Sequence, residues 1–123
     1  MIIEPSQVQH EIARVVGDEG CLPLRDQDFA DICPNPTWGI HVCAQCVDAL
    51  IVLSRICLAQ VLVREKELNG IIVYICGCSL TMNDISKIDG IVPHAQRFKR
   101  GLGRNYAPGY DIWLFAEEVQ ENE

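Results

Sequence analysis

The most hydrophobic stretch of the chain is bracketed by two cysteine pairs. Cys43-Ala44-Gln45-Cys46 lies on one side, with His41 two residues earlier, and Cys76-Gly77-Cys78 on the other. A segment this apolar must be covered on folding, so it constrains everything around it. Cys46 to Leu68 reads as a long helix. Val47, Leu50, Ile51, Ser54, Leu58, Val61, Leu62 and Leu68 fall on one side of it. Leu53, Ile56, Cys57 and Val63 extend the apolar surface almost all round, which predicts a buried, central helix. Asp48 suits its positive end, and Asn69-Gly70 suits a C-terminal stop. Ile71-Ile72-Val73-Tyr74-Ile75-Cys76 is β-branched and aromatic, the clearest strand in the chain. Asn69-Gly70 is also a hairpin signal, which would make residues 58–67 a strand instead. We adopt the helix.

Other elements follow from shorter patterns. Ser6 and Gln9 have capping-box spacing before Val8, Ile12 and Val15, predicting a short N-terminal helix that Gly17 can end. Residues 18–37 read as ordered loop, with Phe29 and Ile32 packing as one helical turn. Trp38 to Val42 reads as a short strand. Thr81 to Gly90 is polar with turn signals, and Pro93 opens a short helix through Arg100. Gly101 to Gly109 reads as loop and Tyr110 to Phe115 as a last strand, with residues 117–123 an acidic, frayed tail. The expected fold is α+β: residues 1–123 form a single small domain in which one central buried helix packs on a mostly antiparallel sheet.

Bulk properties narrow the function classes. A length of 123 residues with 49% hydrophobic content suits one domain with one core. The run from Val47 to Val63 is interrupted by Asp48, Ser54, Arg55 and Gln60, and it is shorter than the roughly 20 residues of a membrane span. A net charge of −7 argues against binding extended nucleic acid or an anionic membrane over the whole surface, and favours a basic partner. Met1 to Pro5 lacks the basic and apolar regions of a signal peptide, and the cysteine count of seven is odd. Free thiols in a reducing cytoplasm are therefore expected, with Cys21, Cys33 and Cys57 as packing residues.

The bracketing cysteines carry three readings. A helix of about 23 residues is ~34 Å long, and a returning strand of about eight residues covers ~26 Å. The second pair therefore comes back near the first. Cys43, Cys46, Cys76 and Cys78 could converge on zinc, with His41 as a spare ligand. Against zinc, the second pair has one spacer residue and 29 residues separate Cys46 from Cys76, more than the roughly 15–20 of a zinc ribbon. Alternatively, Cys43 at a helix N-terminus could be a redox nucleophile resolved by Cys46. The third reading is that the thiols simply pack.

A second cluster is basic. Arg97, Lys99, Arg100 and Arg104 place four of the ten basic residues in eight positions, around Gly101 and Gly103, with Phe98 and Tyr106 nearby. Glycines let backbone amides approach an anion and arginine grips phosphate in a fork. A phosphate or nucleotide site is one reading, with His94 as acid or base. A solvated loop balanced by the protein's own acids is the other. The chain lacks Walker and dinucleotide glycine patterns. Cys43 and His41 permit a nucleophile–base pair with no third orienting residue in view. His10 reads as surface, Trp38 and Trp113 as core anchors, and Asp26, Asp28 and Asp31 as a partner-facing face rather than a cation loop.

The functional expectation is a cytoplasmic, non-enzymatic binding protein of the inhibitor, immunity or adaptor kind, acting through its acidic surface or basic loop. The alternatives are a nucleotide or phosphate binder and a zinc or thiol-redox protein. An exposed sheet edge would also permit a homodimer.

Overall fold

The computed structural model describes residues 1–18, 20–62, 67–104 and 108–119. After a 3-10 turn at Pro5–Gln7, the elements are α1 (Val8–Val16), α2 (Asp26–Ile32), β1 (Trp38–Ala44), α3 (Val47–Val61), β2 (Leu68–Gly77), α4 (Met82–Asp89), β3 (Arg97–Gly103) and β4 (Tyr110–Glu118). The strands form one sheet in the order β1-β4-β2-β3. β4 runs antiparallel to both β1 and β2, and β3 is parallel to β2. The α+β class and the mostly antiparallel sheet agree with the sequence reading.

Alternation along the strands sends side chains to two cores. Ile40, Val42, Ile71, Val73, Ile75, Ile112 and Leu114 pack with Leu50, Leu58 and Ile88 of α3 and α4. Ile72, Tyr74, Cys76, Trp113 and Phe115 pack on the other face with Val8, Ile12, Val15 and Phe29 of α1 and α2. β2 is buried along nearly its whole length because both of its faces are covered.

Several expected elements change. The helix after Cys46 ends at Val61 and lies on one face of the sheet instead of at the centre. It buries Val47, Leu50, Ser54 and Leu58 and leaves Val52, Leu53 and Ile56 open to solvent. Residues 58–61 are helical, which sets aside the hairpin strand there; residues 63–66 lie outside the described residues. Asn69-Gly70 is neither a helix stop nor a hairpin turn. It lies inside β2 at a register irregularity between Leu68 and Gly70. A Cβ on Gly70 would fall 1.7 Å from the carbonyl oxygen of Ile32, so glycine lets the end of α2 sit against the sheet.

The polar stretch 81–90 is helix α4. Thr81 Oγ1 accepts from the Asp84 amide, and Asp84 Oδ2 accepts from the Thr81 amide, both at 3.1 Å. The apparent turn residues are thus a capping box, above a buried pair, Ile85 and Ile88. Conversely, the Ser6 capping box does not form: α1 starts from Gln7 without a side-chain cap. Instead of a helix from Pro93 and a loop from Gly101, residues 97–103 are strand β3, paired with residues 70–76 of β2. β4 continues through Glu117 and Glu118, so the tail reading fails there; residues 120–123 lie outside the described residues.

Candidate functional site

β4 is inserted between β1 and β2, and this decides where the chemistry-bearing residues meet. Cys43 pairs across β1 and β4 with Asp111, and Asp111 pairs across β4 and β2 with Cys76. Two positions along, the same face carries His41, Trp113 and Tyr74. A strand alternates its faces, so His41 and Cys43 project on the same side.

Asp111 Oδ1 receives two contacts. The His41 Nε2 atom is 3.0 Å away and the Cys43 thiol donates to the same oxygen at 2.8 Å. Cys43 Sγ and His41 Nε2 are 3.5 Å apart. The imidazole is stacked on Trp113 with ring centroids 4.0 Å apart and planes 7° from parallel. The Trp113 indole N–H donates to Glu11 of α1 at 3.0 Å, so the stack is tied down from the helix layer.

The thiol is held as a thiol. Loss of hydration raises the Cys43 pKa, as do the hydrogen bond to Asp111 and its negative charge; Arg14 and the chain amino group oppose this, and the result is about 11. A base-activated nucleophile needs its proton directed at the imidazole. Here the carboxylate takes that bond. Cys43 Sγ nonetheless stays 3.5 Å from His41 Nε2, with Asp111 between the two as their shared partner.

Cys76 is separated from Cys43 by the whole of β4, which corresponds to two strand spacings of about 4.8 Å each. It is buried and lies 3.9 Å from Asp18 Oδ2. Burial, then the charges of Asp18 and Asp111, raise its pKa to about 12. The Tyr74 hydroxyl also donates to Asp18, and burial followed by that bond raises its pKa. Cys46 is exposed at the start of α3, and Cys78 is exposed beyond β2 near Ser79. The expected four-thiol cluster is not assembled. Among the described residues, the ligand-type group that comes together is His41, Cys43 and Asp111, with donor atoms within 4.8 Å of one another. His41 thus moves from spare ligand to member of the group, and Asp111 is a member that the sequence did not single out.

The basic residues sit at the opposite edge of the sheet, on β3. Arg97 donates to the Asp31 carbonyl at 2.7 Å, Lys99 is 3.9 Å from Asp28, and Arg100 is ion-paired with Asp89. Gly101 and Gly103 lie beneath Tyr74: a Cβ on either would fall within 2.7 Å of its side chain. Arg104 also has interactions of its own. Tyr106 lies outside the described residues. His94 is exposed just before β3, far from Cys43 across the sheet. Two of the basic residues therefore face carboxylates, Lys99 that of Asp28 on α2 and Arg100 that of Asp89 on α4.

A groove of about 520 Å³ opens beside the His41–Cys43–Asp111 group. The N-terminal segment builds one wall. Ile3 N–H donates to Gly39 at 2.8 Å and His41 N–H donates to the Met1 carbonyl at 2.9 Å, so residues 1–3 run along the outer edge of β1. Leu53, Ile56 and Cys57 of α3 and Val42 of β1 also line the groove, and Glu4, Glu11, His41 and Cys43 contribute polar groups. The apolar side chains at 1–3 were a readable signal for edge pairing, but nothing in the sequence singled out the groove. The chain matches no protein-family model, and no curated protein is significantly similar to it in sequence.

Proposed function

We propose that this chain is a non-enzymatic binding protein of the inhibitor, immunity or adaptor kind, which grips a basic partner protein at the α3 groove. One observation carries the reading: Val52, Leu53 and Ile56 are 57%, 43% and 53% exposed, next to Ile2 at 38%. An apolar side chain open to water gains free energy when a partner covers it, and contiguous exposed apolar surface is the mark of an interaction site. Exposed Val52 of α3 lies outside the groove lining and adds apolar surface next to Leu53. Glu4 and Glu11 line the groove and the chain carries −7 overall, which complements an apolar knob ringed by Lys or Arg.

The Cys43 thiol donates to Asp111 at 2.8 Å, closer than its 3.5 Å approach to His41, which favours binding over nucleophilic catalysis. Seven free cysteines support a reducing, cytoplasmic setting. No helix among the described residues is long and apolar enough to cross a membrane.

The test is a matched capture and reconstitution. Wild type and Leu53→Asp/Ile56→Asp are immobilised, and any partner retained by wild type alone is purified and titrated. Placing charge at two central apolar contacts should cost at least about 2 kcal/mol each, weakening a one-to-one complex more than a hundredfold. Equal binding by both proteins sinks the proposal. So does self-association of wild type that the double substitution abolishes, because the occupant would then be a second copy.

A further inference from the structure

The strongest unassigned feature is the His41–Cys43–Asp111 group. Its three donors are an imidazole nitrogen, a thiol sulfur and a carboxylate oxygen, the set that zinc accepts. They come from two neighbouring strands in fixed register, Cys43 opposite Asp111 and His41 opposite Trp113. The ring of His41 is further held flat against Trp113.

We propose that His41 Nε2, Cys43 Sγ and Asp111 Oδ1 bind one zinc ion, with the fourth position left to water or to a group entering from the groove. The separations support it. Tetrahedral zinc with ordinary bond lengths places N and O donors about 3.3 Å apart and S and N donors about 3.6 Å apart. The observed values are 3.0 and 3.5 Å. The S···O separation of 2.8 Å must open further, by about 0.7 Å. Cys43 is exposed at the end of its strand, which leaves its side chain room to turn.

Charge is consistent as well. On binding, the thiol proton leaves to solvent, and the resulting thiolate with the Asp111 carboxylate neutralises a divalent ion. Arg14 and the chain amino group, which act on Cys43 from nearby, are the opposing cations. A three-ligand site keeps one coordination position open, unlike the closed four-cysteine site that the bracketing pairs suggested. The groove reaches two of the three ligands, so solvent or a partner side chain has access to that position.

The experiment uses the full chain, reduced and freed of metal, titrated with cobalt(II) as a spectroscopic probe and with zinc in competition. One equivalent of cobalt should bind, giving a thiolate-to-cobalt charge-transfer band and the visible absorption of a tetrahedral ion, with zinc displacing it. Cys43→Ser and Asp111→Asn should each weaken uptake by at least about a hundredfold. His41→Gln should do the same. A Cys46→Ser/Cys78→Ser protein should bind as wild type does. Circular dichroism of each variant separates lost ligation from lost folding. Two results overturn the site: no cobalt uptake by folded wild type, or uptake that survives Cys43→Ser. Uptake that requires Cys46 or Cys78 overturns it equally, because the ion would then sit on the exposed thiols.

Discussion

Among single residues, the cysteines differ most in what surrounds them. Cys33 is fully buried between α2 and the sheet, and burial, then the charge of Glu117, raises its pKa to about 12. Cys76 reaches about 12 and Cys43 about 11. A raised thiol pKa means that the native state keeps a proton which the unfolded chain releases near pH 9. Stability is therefore full below pH 9 and declines as pH rises towards 12. Denaturation midpoints measured across that window should fall, and the fall should be shallower in a Cys33→Ala protein. Equal slopes would show that Cys33 does not contribute. Exposed Cys21, Cys46 and Cys78 should meanwhile react with a thiol reagent in the native state long before Cys33 and Cys76. Of the three thiols read as packing residues, Cys33 is buried, Cys57 is half-buried and Cys21 is exposed, so treating free cysteine as a small hydrophobe holds in full for Cys33 alone. The environment of Cys43 was not legible in the sequence, because its partner Asp111 lies 68 residues away.

Elements formed where local chemistry and long-range packing agree. α3 begins at Val47 with Asp48 in its first turn, as its pattern predicts. Its apolar residues all round implied burial on every side, yet a single sheet face covers only one stripe, and Leu53 and Ile56 remain outside. α4 was missed because Thr81 to Asp84 resembles a turn in composition. Its helical character rests on a reciprocal cap and on two isoleucines one turn apart that reach the core. Thr81→Ala should therefore cost about 1 kcal/mol, read from urea denaturation, while Thr81→Ser should cost much less. A loss of equal size from both would mean that the methyl group matters and the cap does not. β3 was missed because Pro93 reads as the start of a helix and Gly101 and Gly103 as loop. What holds it is the β2 ladder on one side, the Asp28 and Asp89 carboxylates and the Asp31 carbonyl around its charges, and backbone bonds between Leu22 and Leu102 on its outer edge.

Across the whole molecule, the spacing between the helix layer and the sheet depends on positions without side chains. α2 reaches β2 because Gly70 leaves space for the Ile32 carbonyl. Gly70→Ala must push backbone against backbone, so a loss of about 3 kcal/mol is expected. An alanine protein as stable as wild type would show that α2 can shift freely. Strand order also sets where the candidate sites lie. The groove and the His41–Cys43–Asp111 group occupy the β1 edge, and the basic segment occupies the β3 edge. Of the cysteine motif only the His41 and Cys43 end lies across the sheet from the basic segment, because Cys76 on β2 pairs directly with Gly103 on β3.

The α+β class, the start of α3, the position of β2 and the net negative charge are all readable from the chain alone. These depend on side-chain periodicity, β-branching and net charge, all of which are local or additive. Tertiary structure alone decided that β4 enters between β1 and β2. Strand pairing joins residues far apart in the chain and leaves no local mark on either partner. That one insertion separates Cys43 from Cys76, sets Asp111 between them, and converts a bracket of four thiols into a compact group of imidazole, thiol and carboxylate beside an open apolar groove.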